Sequence, residues 1–156
     1  MSKKVKVMVP SQKKPFMDAV LENRHMEKKE LFRNISSLEA PQKMLGIIEA
    51  VTRILAAIAN GEWIYFWTDY DADGWGCGVV VTQAMRKLGY LKFNVGYNKR
   101  NMGFGLNRSS IDQIVKDQPE TKLIVTSDNG IVAFDAVDYA KSLGIDVIIT
   151  DHHIPD

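Results

Sequence analysis

Cysteine is nearly missing from this chain: Cys77 is the only one in 156 residues. That excludes an internal disulfide and a zinc site built on cysteine pairs. It also fits an intracellular, reducing compartment. No apolar run reaches the roughly 18–20 residues of a membrane-spanning helix, so no membrane role is expected. The N-terminal lysines are not followed by an apolar stretch, so no signal peptide is expected either. Repeats and low-complexity segments are absent, and so is any overall excess of charge. Twenty Lys and Arg stand against 19 Asp and Glu, a net charge of +1. Global charge therefore selects no partner, although residues 1–30 hold eight Lys and Arg against four acids. A basic end of this kind suits either a solvated terminus or a nucleic-acid backbone. The length and the 46% hydrophobic content suit one globular domain with a real core.

The hydrophobic pattern implies alternating strands and helices. Val5, Val7 and Val9 suggest a short strand closed by Pro10, and residues 16–33 suggest a helix. Ser36 and Ser37 offer helix caps and Pro41 suits a first helical turn. Met44, Ile47, Ile48, Val51, Leu55 and Ile58 then form one stripe of a helix over 41–59, ended by Asn60-Gly61. Strands are expected at 63–68, 92–97, 122–126 and 146–150, separated by helices at 75–88, 109–117 and 132–143. Ser109 or Ser110 is the expected cap of the second of these helices. This order predicts an α/β fold, with a parallel sheet of four to five strands and helices on both faces.

Three of the expected strands run into short polar clusters. Trp63–Thr68 leads to Asp69-Tyr70-Asp71-Ala72-Asp73-Gly74, Leu123–Thr126 to Ser127-Asp128-Asn129-Gly130, and Val147–Thr150 to Asp151-His152-His153. In a parallel sheet these ends share one edge, where open α/β sheets place their sites. Gathered there, the carboxylates would repel one another unless something positive sat among them, and divalent metal is the natural candidate. Alternate residues Asp69, Asp71 and Asp73 can point the same way toward one or two ions. An EF-hand is excluded, because its twelfth position is Val80 rather than a glutamate. Gly74 permits a tight turn into a helix whose N-terminus can hold a phosphate. The paired histidines suit a borderline metal such as Mn²⁺ or Zn²⁺, with the neighbouring Asp151 able to orient a ring. His25, the third histidine, reads as a surface residue. Between the first two clusters lies a basic, Gly-rich loop, Lys99 to Arg108.

Together these motifs resemble those of the DHH phosphoesterase superfamily, and within it the RecJ branch of single-strand-specific 5′→3′ DNA exonucleases. The likeness rests on Thr68–Gly74, Ser127–Ile131 and Asp151–His153. It rests also on Arg100-Asn101-Met102-Gly103-Phe104-Gly105-Leu106, similar to an Arg-x-x-x-Gly-Tyr-Gly-Leu loop with Phe104 in place of tyrosine. Leu21–Arg24 and the 41–61 helix resemble the segment before the first motif, so the likeness covers roughly residues 17–156.

The resemblance implies a Rossmann-like DHH domain over 37–156, preceded by a basic segment at 1–36. It implies two-metal phosphodiester hydrolysis with Mn²⁺ or Mg²⁺, in which an activated water attacks phosphorus. Asp71 and Asp73 would each face one metal, Asp128 would bridge them, and His152 would be a ligand. Asp69 would be a ligand or lie just behind one, Asp151 would orient the histidines, and His153 would contact metal or phosphate. Arg100, Lys99, Arg108 and the Gly74 turn would meet substrate phosphate. Single-stranded DNA is the implied partner, with replication or repair proteins beside it, in the cytoplasm. The family's fourth motif and its DHHA1 domain are not among these residues, so the chain is expected to be a truncated form that builds most of a metal site and little of the cleft. Phosphodiesterases of short oligoribonucleotides or cyclic dinucleotides, or a non-catalytic scaffold, are the alternatives.

Overall fold

The computed structural model describes residues 15–29, 40–98 and 102–154. The expected strand at 5–9 and the expected caps Ser36 and Ser37 lie outside them. The chain forms two compact units, divided between Leu45 and Gly46. The first contains helix α1 (Phe16–Asn23) and a 3₁₀ turn at Pro41–Lys43. The helix expected to reach residue 33 ends at Asn23, where Arg24 and His25 turn and His25 takes a left-handed φ of +52°.

The second unit runs α2 (Ile47–Asn60), β1 (Trp63–Thr68), α3 (Ala72–Lys87), β2 (Phe93–Tyr97), α4 (Arg108–Asp117), β3 (Thr121–Ser127), α5 (Phe134–Ser142) and β4 (Asp146–Ile148). The helix expected over 41–59 is thus broken. Gly46 sits at φ +71°, which cannot continue a right-handed helix, and α2 begins after it. Helix α4 is capped by Asn107 rather than by a serine. The Asn107 side chain accepts from the Ser110 N–H, and the Ser110 hydroxyl accepts from the Asn107 N–H, a reciprocal capping box.

The four strands are all parallel, in the order β2-β1-β3-β4. Alternation along the strands sends side chains to two separate cores. Ile64, Phe66, Leu123 and Val125 pack with Ala57 of α2 and Met85 of α3. Tyr65, Trp67 and Ile124 pack on the other face with Ile111 and Ile114 of α4 and Ala136 and Ala140 of α5. Helices therefore cover both faces, as the apolar strand runs require. The chain leaves β1 for β2 on one side and later returns to β3 on the other. The crevice between the ends of β1 and β3 is a topological switch point, and it lies at the first two polar clusters.

At the opposite edge, Arg53 of α2 ties the layers together. Its guanidinium donates to Glu62 Oε2 at 2.7 Å and to Asp146 Oδ2 at 2.6 Å. The Arg53 hydrogen bond holds Glu62 below the ordinary glutamate range, against the opposing pull of burial. A depressed carboxylate contributes stability above its ordinary pKa and loses it as pH falls through the folded value. Arg53→Met is expected to lower the unfolding free energy from urea titration at neutral pH by about 1 kcal/mol. The gap from wild type should then close as pH falls below 4.5. A gap independent of pH would show that packing, not charge, is lost.

Candidate metal centre

The three polar clusters meet because each strand delivers its own by a different local device. At the end of β1, the Asp69 N–H donates to the Ser127 carbonyl at 3.2 Å, so pairing with β3 continues one residue past the strand. Asp71 is the N-cap of α3, its Oδ1 accepting from the Gly74 N–H at 3.1 Å. The helix starts at Ala72 rather than at 75, so Asp73 and Gly74 belong to its first turn. A Cβ at position 74 would be driven into the backbone of Asp69. Only glycine lets the helix start fold this closely onto the strand end. Asp71 is held below the usual aspartate range, chiefly by that Gly74 hydrogen bond.

At the end of β3, Asp128 takes a left-handed φ of +65°, uncommon for any residue but glycine and asparagine. Its N–H donates to the Thr150 carbonyl at 3.0 Å. Asn129, itself buried, donates from Nδ2 to the carbonyls of Trp67 and Ser127 at 3.1 and 2.9 Å, joining the β1 and β3 ends. The ladder between β3 and β4 stops at Ile148, two residues short of the expected strand end. Threonine side chains replace it: the Thr150 N–H donates to Thr126 Oγ1 at 3.1 Å, and the Thr150 hydroxyl donates to the Thr126 carbonyl.

That junction delivers Asp151, whose side chain is 2% exposed. Asp151 Oδ2 accepts from the Ile131 N–H at 2.9 Å, and Oδ1 lies 2.6 Å from His153 Nδ1. Burial pushes the Asp151 pKa up, but the N–H groups of His153 and Ile131 and the His153 ring outweigh it and hold it below the usual range. The hydrogen bond to Asp151 in turn raises His153. His152 Nε2 lies 2.8 Å from Asp128 Oδ1. The approach is off the hydrogen-bond direction, so this buried Oδ1 has no hydrogen-bond partner among the described residues.

Two groups of ligating atoms result, each within 4.8 Å: Asp69, Asp71 and Asp128, and Asp128, His152 and His153. Asp128 belongs to both. Its pKa is raised, first by burial and then by the carboxylates of Asp73 and Asp71, with the two histidines acting against the rise. A buried, orphaned carboxylate oxygen between two donor sets, repelled by its own neighbours, is the arrangement a divalent cation relieves. The residues present fit such an ion. Asp73 is in neither group. It is exposed in the first turn of α3, close enough to raise Asp128.

The other expected site residues are Gly74, Arg108, Lys99 and Arg100. The Gly74 N–H is already engaged by Asp71. Arg108 stacks over the Tyr139 ring at 4.9 Å and lines a concavity with Phe134 and Ala136. Lys99 and Arg100 lie outside the described residues. Phe104 is 81% exposed and pairs with Tyr70 at 6.0 Å, on the wall of a cavity of about 320 Å³ that also exposes Asp69, Asp128 and His153. Sequence reasoning missed Asn98, Thr126 and Asn129. Buried Asn98 donates to the Gly105 carbonyl and accepts from Ser110 Oγ, fixing the loop that carries Phe104. A lone buried polar residue beside a strand end was the available signal.

A family model described as "DHH family, N-terminal domain" matches residues 63–156. The single-stranded-DNA-specific exonuclease RecJ of Haemophilus influenzae is 33% identical over 145 residues, 90% of this chain and 24% of that protein. The protein of the same name from Bacillus subtilis is 39% identical over 116 residues, 74% of this chain and 14% of that protein. This chain thus spans about a quarter or less of the curated relatives it matches. Among solved structures, an exonuclease RecJ bound to manganese superposes with a TM-score of 0.65 at 25% identity, covering 76% of this chain and 30% of that one. The Thermus thermophilus RecJ in complex with Mn²⁺ shares the fold with a TM-score of 0.62 at 23% identity, over 87% of this chain and 18% of that one.

Asp128→Asn is expected to raise the thermal midpoint of the metal-free protein, because it removes repulsion at constant shape, and to abolish the rise that a divalent cation causes in wild type. A lower metal-free midpoint would contradict the repulsion argument. Gly74→Ala is expected to weaken cation binding by about 10–100-fold in calorimetry, as changes behind metal ligands do. Unchanged affinity would show that the helix start does not position Asp71.

Proposed function

Because the chain belongs to the DHH family, we propose that it forms the metal-binding part of an exonuclease that hydrolyses single-stranded DNA from the 5′ end, using Mn²⁺ or Mg²⁺. The observation that carries this reading is Asp128, buried and shared between two ligand groups at the switch point of the sheet. The RecJ relatives and the manganese-bound RecJ structure support the choice of substrate and metal.

In this reading Asp69, Asp71, Asp73, Asp128 and His152 would hold two ions, Asp128 belonging to both donor groups. When bound, the cations supply Lewis-acid charge and lower the pKa of a water. The chain's own contribution is geometric. The Gly74 N–H holds the Asp71 carboxylate in place and keeps its pKa below the usual aspartate range. Asp151 fixes the His153 ring through Nδ1, which leaves Nε2 as the nitrogen available to a ligand. His153, with its raised pKa, is suited to donate to a phosphate oxygen or an ion-bound group. Arg100 and Lys99, from the loop after β2, would pair with non-bridging phosphate oxygens. The reading implies an intracellular enzyme of DNA repair and recombination.

The test uses the full-length parent protein with 5′-phosphorylated single-stranded DNA. Mn²⁺-dependent release of mononucleotides is expected, with Asp128→Ala lowering the rate at least about a hundredfold, the loss of several kcal/mol of charge stabilisation. No release with any divalent metal would overturn the proposal.

A further inference from the structure

A second concavity, about 360 Å³, opens beside the carboxylates, between the outer side of α3 and the edge strand β2. Thr68, the last residue of β1 before Asp69, forms its inner wall. Trp75 and Tyr97 form its mouth, their rings 5.1 Å apart and tilted by 46°. Trp75 stays 54% exposed and Tyr97 44%, so each ring keeps a free face. Trp75 is not a loose surface side chain. Its indole Nε1 donates to the Tyr70 carbonyl at 3.1 Å, which fixes the ring to the same turn that presents Asp69, Asp71 and Asp73. Gly78 forms the floor, where a Cβ would crowd Val95. Among the described residues, no charged side chain lines the groove. The exposed Gln83 makes no hydrogen bond or ion pair with any described residue.

A site next to a phosphodiester centre whose described lining is two aromatic rings, aliphatic groups and an unbonded amide suits a flat, hydrogen-bonding ligand. Aromatic faces of this kind hold unstacked bases with little sequence preference, because every base has a π-face. The second tilted pair, Tyr70 with Phe104, continues the aromatic row to the cavity containing Asp69 and Asp128. We propose that Trp75 and Tyr97 form a stacking subsite for a nucleobase of the strand whose phosphate lies at the carboxylates, with Gln83 meeting the base edge. This rests on the nuclease reading above. It adds a reason for single-strand preference that the metal site alone does not give: a base engaged here is unpaired and unstacked from its neighbours.

The test measures binding of two single-stranded oligonucleotides of equal length in EDTA, so that neither is cut. One is oligo-dT and the other carries abasic spacers with the same phosphates. Wild-type chain is expected to prefer the oligo-dT by at least about fivefold, the equivalent of one base on one ring. Trp75→Leu, which keeps apolar bulk but has no π-face, is expected to erase that preference while the salt dependence of binding is retained. Trp75→Phe is expected to restore it. Equal wild-type affinity for both strands, or a preference that survives in Trp75→Leu, overturns the subsite. Dimerisation of wild type that Trp75→Leu disperses, with no base preference, would assign the groove to a second copy and also overturn it. Calorimetric titration of Mn²⁺ into wild type and Asp128→Ala separates the two readings. Cation binding that Asp128→Ala abolishes, with no base preference, leaves the metal site standing and rejects the subsite alone.

Discussion

Asp128 is a carboxylate held out of water beside Asp71 and Asp73, on a backbone turned into the left-handed region. Each of these conditions is unfavourable by itself. Burial disfavours its charge, its neighbours repel it, and a non-glycine left-handed conformation costs about 1–2 kcal/mol. They persist together because the surroundings over-determine the position. The Asp128 N–H is paired with Thr150, Asn129 clamps the β1 and β3 ends, and the Thr126–Thr150 bonds fix the approach of β4. Strain of this kind is expected where function, rather than stability, sets the geometry.

The sheet order makes that conflict available. Had a strand stood between β1 and β3, the first and second clusters would have been about 10 Å apart, two strand spacings instead of one. With order β2-β1-β3-β4, the chain departs from β1 and returns to β3 on opposite sides, leaving an open crevice between their ends. The helix after β1 then closes in. Asp71 both caps α3 and belongs to a ligand group, so the bond that starts the helix also aims the carboxylate. Gly74 allows the approach, and the buried Asp151 sets the His153 ring from behind.

Around this centre the surface is divided by chemistry. Charged ligating groups occupy the crevice at β1 and β3, whereas the described lining of the flank toward β2 is aromatic and aliphatic, with uncharged polar groups. A nucleotide has the same division, with a charged phosphate and a flat, neutral base. The two tilted aromatic pairs, Trp75–Tyr97 and Tyr70–Phe104, both border the loop that bears the first carboxylates. One turn of chain therefore positions groups for both halves of such a ligand.

The sequence by itself determined the alternation of strands and helices, because apolar runs bounded by Gly and polar turns leave few other solutions. It also determined that three acidic or histidine-bearing turns fall on one edge, since parallel strands align their ends. It did not determine the break at Gly46, which the apolar stripe of α2 overrides on paper but a φ of +71° forbids in space. Nor did it determine that Asn107 rather than a serine caps α4, or that threonine hydroxyls carry β4 to the histidines beyond Ile148. The fate of Arg108 was equally hidden. Spacing put it on the edge that carries the acids, and it could not show that the guanidinium lies over Tyr139, about thirty residues on in another helix. Periodicity reports which face a residue occupies, so it reveals strands, helices and shared edges. Which side chains touch depends on crossing angles, caps and tightly approached backbones, and only the folded chain decides those.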